Sequence, residues 1–89
     1  MSQARIVLVD DDEGSRGAMA RGLRREGYEV TEFKSGEAAL AELEGGQPVQ
    51  VLITDVRMPP GIDGLEVLKR ARALRPELPV LMVTAFGDI

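Results

Sequence analysis

The sequence predicts an open α/β sheet of parallel strands with helices on both faces. Two observations carry that prediction. Short β-branched and aliphatic runs alternate with stretches of helical periodicity, and such alternation implies parallel pairing through right-handed crossovers. The runs at residues 6–9 and 51–54 are also apolar on both faces, as central parallel strands covered by helices must be.

The elements follow in order. A first strand is expected over residues 5–10, and a helix over residues 13–26 with Ala18, Met19, Ala20 and Leu23 at helical spacing, closed by Gly27 as a C-terminal cap. Residues 28–33 mix apolar and charged side chains, which suits a strand near a sheet edge. Ser35 caps a second helix with Ala39, Leu40 and Leu43 on one stripe, ended by Gly45-Gly46 before Pro48. Residues 49–54 form the next buried strand. After the loop 55–62, Asp63 and Glu66 have the spacing of an N-terminal cap with its reciprocal acid, and Val67, Leu68, Ala71 and Leu74 are expected to face the core. Arg75-Pro76 closes this helix, and residues 78–83 form a fourth strand.

Composition narrows the class. The chain has 89 residues, 44% hydrophobic and 29% charged, which suits one soluble globular domain with a small core. No apolar run approaches the ~20 residues of a membrane span. Residues 1–5 lead directly into a strand without a signal-peptide cleavage pattern, so a cytoplasmic location with no membrane contact is expected. With no cysteine and no histidine, disulfides, thiolate sites and the commonest zinc ligand are excluded, and any metal must be held by oxygen. The net charge of −4 argues against direct nucleic-acid binding. Arg16, Arg21, Arg24 and Arg25, and later Lys69, Arg70, Arg72 and Arg75, read as solvated helix faces.

The apolar runs end on oxygen-bearing residues: Asp10 and Asp11, Asp55, and Thr84. Strand ends on one edge of a parallel sheet gather in space, and ligands bind in the crevice outside their carboxyl ends. Asp10, Asp11 and Asp55 would repel one another there, a pressure that a divalent cation reverses. The donor set fits Mg²⁺, which takes oxygen ligands and is commonly held by one or two carboxylates with a phosphate completing its shell. Asp55, at the tip of the middle strand, is the expected nucleophile, since carboxylates do form aspartyl-phosphates. Thr84 is expected to hydrogen-bond a phosphoryl oxygen, and the backbone carbonyl of Arg57 to supply a further metal ligand. Asp12 reads as a helix-terminus acid.

Taken together, Leu8-Val9-Asp10-Asp11-Asp12, Thr54-Asp55-Val56-Arg57-Met58-Pro59, Asp63-Gly64 and Val83-Thr84-Ala85 resemble the receiver domain of two-component response regulators. Asp-Val-Arg-Met-Pro and Thr-Ala-Phe-Gly-Asp resemble most the receivers of sigma-54-dependent activators. The resemblance implies a flavodoxin-like (CheY-like) three-layer fold, with strand order 2-1-3-4 here. It implies that Asp55 accepts phosphate from a sensor histidine kinase, that Asp11 ligates Mg²⁺ directly while Asp10 acts largely through water, that Thr84 is the switch hydroxyl, and that the output is transcriptional. Such a domain would assist its own phosphorylation and dephosphorylation without being an enzyme in the ordinary sense.

The resemblance covers all 89 residues but not all of a receiver. Counterparts of the fourth helix, the fifth strand with its lysine, the switch aromatic and the fifth helix are not among them, and Lys34 and Lys69 lie in the wrong elements for the lysine's role. A receiver incomplete at its C-terminus is expected to expose residues 80–83 as an apolar edge, and so to be marginally stable alone or to pair or exchange that edge with a second copy. Pro59-Pro60-Gly61 carries one residue more than the single proline usual before glycine, which would reshape the loop. Two other classes fit some of the residues. Asp10-Asp11-Asp12 contains the Asp-x-Asp of a Mg²⁺-dependent phosphohydrolase of the haloacid dehalogenase type, with Asp10 as nucleophile. A phosphorylation-defective interaction module that keeps the acidic pocket is the other.

Overall fold

The computed structural model describes residues 4–56 and 61–83. Its elements are β1 (Arg5–Val9), α1 (Glu13–Arg25), β2 (Glu29–Phe33), α2 (Gly36–Glu44), β3 (Val51–Asp55), α3 (Gly64–Leu74) and β4 (Val80–Val83). Every pairing is parallel, and the sheet order is β2-β1-β3-β4, as the resemblance implied.

Side-chain alternation along β1 divides the core in two. Val7 and Val9 point to the face covered by α2 and α3, where they join Ala39, Leu40, Leu43, Leu52, Val67 and Ala71. Ile6 and Leu8 point to the opposite face and pack with Ala20, Val30 and Ile53, flanked by Met19 and Leu23 of α1. β1 and β3 are central, and both are buried on either face from their second residue on. β2, with Glu29 and Glu32, takes one edge. β4 takes the other edge of the described sheet, where Leu81 and Met82 are exposed.

The helix starts follow the expected caps. Asp12, Ser35 and Asp63 accept hydrogen bonds from the backbone N–H of Ser15 (2.8 Å), Ala38 (3.2 Å) and Glu66 (3.0 Å). Each satisfies a donor that the first helical turn leaves unpaired. Just past α1 lies Gly27, whose φ of 98° is the left-handed conformation that favours glycine, and the Tyr28 N–H turns back to the Leu23 carbonyl at 3.2 Å.

Several expectations need correction. Leu74 is exposed although it shares the helix stripe of Val67 and Ala71, because it lines an open groove between α2 and α3 instead of packing into the core. Glu66 does not complete a reciprocal cap: its carboxylate accepts from Arg70 Nε one turn on, at 2.8 Å. β4 begins at Val80, two residues later than expected; Pro79 has no N–H to give a ladder and contributes only its carbonyl, to Leu52 N–H. β3 is likewise shifted, running from Val51 through Asp55, and β1 stops at Val9. Arg16 and Arg75 are not simply solvated: Arg75 donates to the Leu43 carbonyl at the end of α2, and Arg16 is engaged at the site below.

Candidate functional site

Register builds the site. β1 and β3 pair from Ile6 with Val51 to Val9 with Thr54, so the next residue of each strand, Asp10 and Asp55, emerges at the same carboxyl edge. Asp11 follows at the turn into α1. One carboxylate oxygen from each of Asp10, Asp11 and Asp55 lies within 4.8 Å of the other two. Asp10 and Asp55 are buried, at 5% and 6% exposed, whereas Asp11 is exposed. The sequence expectation that acids from separate strands converge is thus met in the geometry.

The backbone fixes the two buried acids. Asp10 N–H donates to the Phe33 carbonyl of β2 at 3.1 Å, and Asp10 Oδ1 accepts from Asp12 N–H at 3.0 Å. Asp55 Oδ1 accepts from Val56 N–H at 2.8 Å. Among the described residues Oδ2 of each takes no hydrogen bond, and no fully buried side-chain polar atom lacks a partner. Those oxygens therefore open onto the sheet edge.

Electrostatics leave the cluster uncompensated. Among the described residues, no ion pair includes Asp10, Asp11 or Asp55. Burial raises the Asp10 pKa above the ordinary carboxylate value, the Asp12 N–H bond opposes that rise, and the charges of Asp55, Asp11 and Asp12 add to it. Asp12 behaves oppositely: its hydrogen bonds from Ser15 hold its pKa below the usual range, in keeping with a helix cap. Three oxygen donors facing one opening, none of them ion-paired among the described residues, match the donor chemistry of Mg²⁺.

The Asp63-Gly64 pair has a structural reason. Gly64 N–H donates to the Val56 carbonyl at 2.7 Å, bringing the start of α3 against the end of β3. A Cβ at this position would strike the Asp55 carbonyl oxygen and stand 2.9 Å from Val56 Cα. Only glycine permits this approach. Sequence reasoning placed Gly64 in a motif without this cause, and it read Arg16 as part of a solvated helix face with no place at the site. Arg16 donates from Nη1 to the Asp10 carbonyl at 2.8 Å and from Nε to Glu32 at 3.2 Å. Its place one helical turn beyond Asp12 was the only signal available. Thr84 and Arg57, expected at this site, lie outside the described residues.

The chain matches the family described as response regulator receiver domain over residues 6–89. It belongs to that family. This favours the receiver reading over the phosphohydrolase, and the family is one of signalling domains. The C4-dicarboxylate transport transcriptional regulatory protein DctD of Rhizobium meliloti is 42% identical over 84 residues, covering 94% of this chain and 18% of that protein. The DNA-binding transcriptional regulator NtrC of Salmonella typhimurium is 39% identical over 89 residues, covering 100% of this chain and 19% of that protein. The chain thus spans about a fifth of the length of these two relatives. Among solved structures, response regulator protein TrrA of Thermotoga maritima in complex with Mg(2+)-BeF superposes with a TM-score of 0.87 at 33% identity, over 96% of this chain and 72% of that one. Among the described residues, no helix is long and apolar enough to cross a membrane.

Proposed function

We propose that this receiver domain takes a phosphoryl group from the phosphohistidine of a sensor histidine kinase onto Asp55, using Mg²⁺ held by Asp10, Asp11 and Asp55, and so controls a transcriptional output from the cytoplasm. The observation that carries this reading is the approach of three carboxylate oxygens to within 4.8 Å of one another, with none of the three carboxylates ion-paired among the described residues. The Mg(2+)-BeF complex of the TrrA relative supports it, because beryllofluoride has the tetrahedral shape of a phosphoryl group.

Asp55 Oδ1 is engaged by Val56 N–H, so Oδ2 is the oxygen that attacks phosphorus. The new P–O bond forms as the P–N bond to the kinase histidine breaks. Mg²⁺, when bound, offsets the charge on the acceptor carboxylate and the transferring oxygens. Asp11, exposed and unburdened by neighbouring strands, is the direct ligand, and buried Asp10 acts through water. We assign Thr84 the hydroxyl that registers the phosphoryl group and the Arg57 carbonyl a place among the metal ligands. The same groups support the chain's own phosphorylation from a small donor and its later hydrolysis.

Incubation with acetyl phosphate and Mg²⁺, followed by peptide mapping, tests the assignment. Label on Asp55 that requires Mg²⁺ and disappears in Asp55→Asn is the expected result. Label on Asp10, or steady turnover of the donor without Asp55 modification, would overturn it in favour of a phosphohydrolase.

A further inference from the structure

Arg16 reaches out of α1 to two places at once. Its Nη1 donates to the backbone carbonyl of Asp10 at 2.8 Å, and its Nε donates to Glu32 Oε1 of β2 at 3.2 Å. Only 15% of its side chain is exposed. The other oxygen of the Glu32 carboxylate is held by Arg24 Nη1 at 3.0 Å, so the acid is gripped from two sides and in turn fixes the Arg16 guanidinium. A planar fork with donors in fixed directions suits this double duty, which a lysine ammonium could not copy.

The Asp10 carbonyl and the Asp11 N–H belong to one rigid peptide plane. Whatever holds that carbonyl sets the orientation of the plane, and with it the direction in which the Asp11 Cα projects its carboxylate. Asp10 is the last residue before the turn, with its N–H already committed to β2 and its carbonyl just past the end of the strand ladder. Arg16 supplies the donor that this carbonyl would otherwise lack.

We infer that Arg16 is a positioning residue for the Mg²⁺ site, acting through the Asp10–Asp11 peptide plane and itself held by Glu32. The inference rests on the proposed metal site. Outer groups that orient metal ligands typically carry a 10–100-fold share of metal affinity. Simple charge predicts the reverse. A guanidinium close to the site repels a divalent cation, and its removal alone would tighten binding.

That opposition of sign makes the test sharp. Mg²⁺ affinity is measured by calorimetric titration of the intact protein as wild type, Arg16→Met and Arg24→Met. Both variants take one guanidinium from Glu32 and keep an aliphatic stem, but only Arg16 touches Asp10. The expected result is affinity lowered about 10-fold or more in Arg16→Met, unchanged or slightly raised in Arg24→Met, with comparable losses in thermal midpoint for the two. The Asp11 amide ¹⁵N resonance of the metal-free protein should move in Arg16→Met and stay in place in Arg24→Met. Equal or tighter Mg²⁺ binding by Arg16→Met, or equal weakening in both variants, would overturn the positioning role while leaving the metal site intact. A wild-type protein that binds no Mg²⁺ would overturn the site itself, and the inference with it.

Discussion

Replacing Gly64 by alanine adds one methyl group at the point where α3 meets the phosphoacceptor strand. That methyl would stand 2.9 Å from Val56 Cα and 3.1 Å from the Asp55 carbonyl carbon, and nearer still to the Asp55 carbonyl oxygen. Carbon atoms sit comfortably at ~3.5–4.0 Å, so the two backbones must separate by on the order of 1 Å. The three nearest atoms are all backbone, so no side-chain rotation can relieve the clash. Overpacking of this kind costs about 1–3 kcal/mol. The Gly64 N–H bond to the Val56 carbonyl, 2.7 Å in length, would stretch as well, adding roughly 1 kcal/mol. The displaced group is the backbone of Asp55 itself, and a misplacement of ~1 Å at a reacting group can slow reaction about 100-fold. Urea unfolding would read the stability, and Mg²⁺-dependent labelling by acetyl phosphate the reactivity. Gly64→Ala should lose in both, with labelling falling further than the folded fraction explains. A variant with wild-type unfolding midpoint and labelling rate would refute the close-approach argument.

Further expectations rest on other contacts. Asp10→Asn keeps the acceptor for Asp12 N–H but removes a buried charge, so the metal-free protein should melt at a higher temperature while Mg²⁺ affinity falls about 10-fold or more; a variant that gains neither stability nor loses affinity would contradict the cluster's electrostatics. Because the Asp10 pKa is raised on folding, its native form holds a proton more tightly than the unfolded chain does. Its contribution to metal-free stability is therefore full below the ordinary aspartate range and lost as pH rises through the elevated value, a decline that Asp10→Asn should abolish in thermal melts. Asp12 has the opposite sign: its stabilisation is present above the ordinary aspartate range and lost as pH falls through its lowered value. The destabilisation caused by Asp12→Ala should thus shrink in acid, and a constant deficit across pH would argue against an ionised cap. Leu8→Ala, at a side chain 1% exposed in the core half beneath α1, should cost about 2–5 kcal/mol by chemical denaturation.

The parts of the fold visible in the sequence are those governed by local pattern. Apolar runs on both faces marked β1 and β3 as central, and Asp12, Ser35, Asp63 and Gly27 marked helix ends, because caps depend on residues within one turn of each other. The convergence of Asp10, Asp11 and Asp55 was legible for the same reason: parallel pairing fixes which strand ends share an edge. What was not legible depends on distance. The Arg16 guanidinium reads as one more charge on a helix until β2 brings Glu32 beside it, sixteen residues away in sequence. Leu74 fits the apolar stripe of α3 by spacing alone, but it lines an open groove between α2 and α3 and stays exposed. Strand limits slipped at residues 78 and 79 because proline interrupts the ladder without interrupting the apolar run.

The most direct measurement is diffraction from crystals grown with Mn²⁺ in place of Mg²⁺, with the metal located by its anomalous scattering. A single peak between the Asp11 and Asp55 carboxylates, with Asp10 reached through a water, is the predicted result. Saturating Mn²⁺ that leaves this edge empty, or that binds elsewhere on the chain, would contradict the claim that the three acids serve one cation.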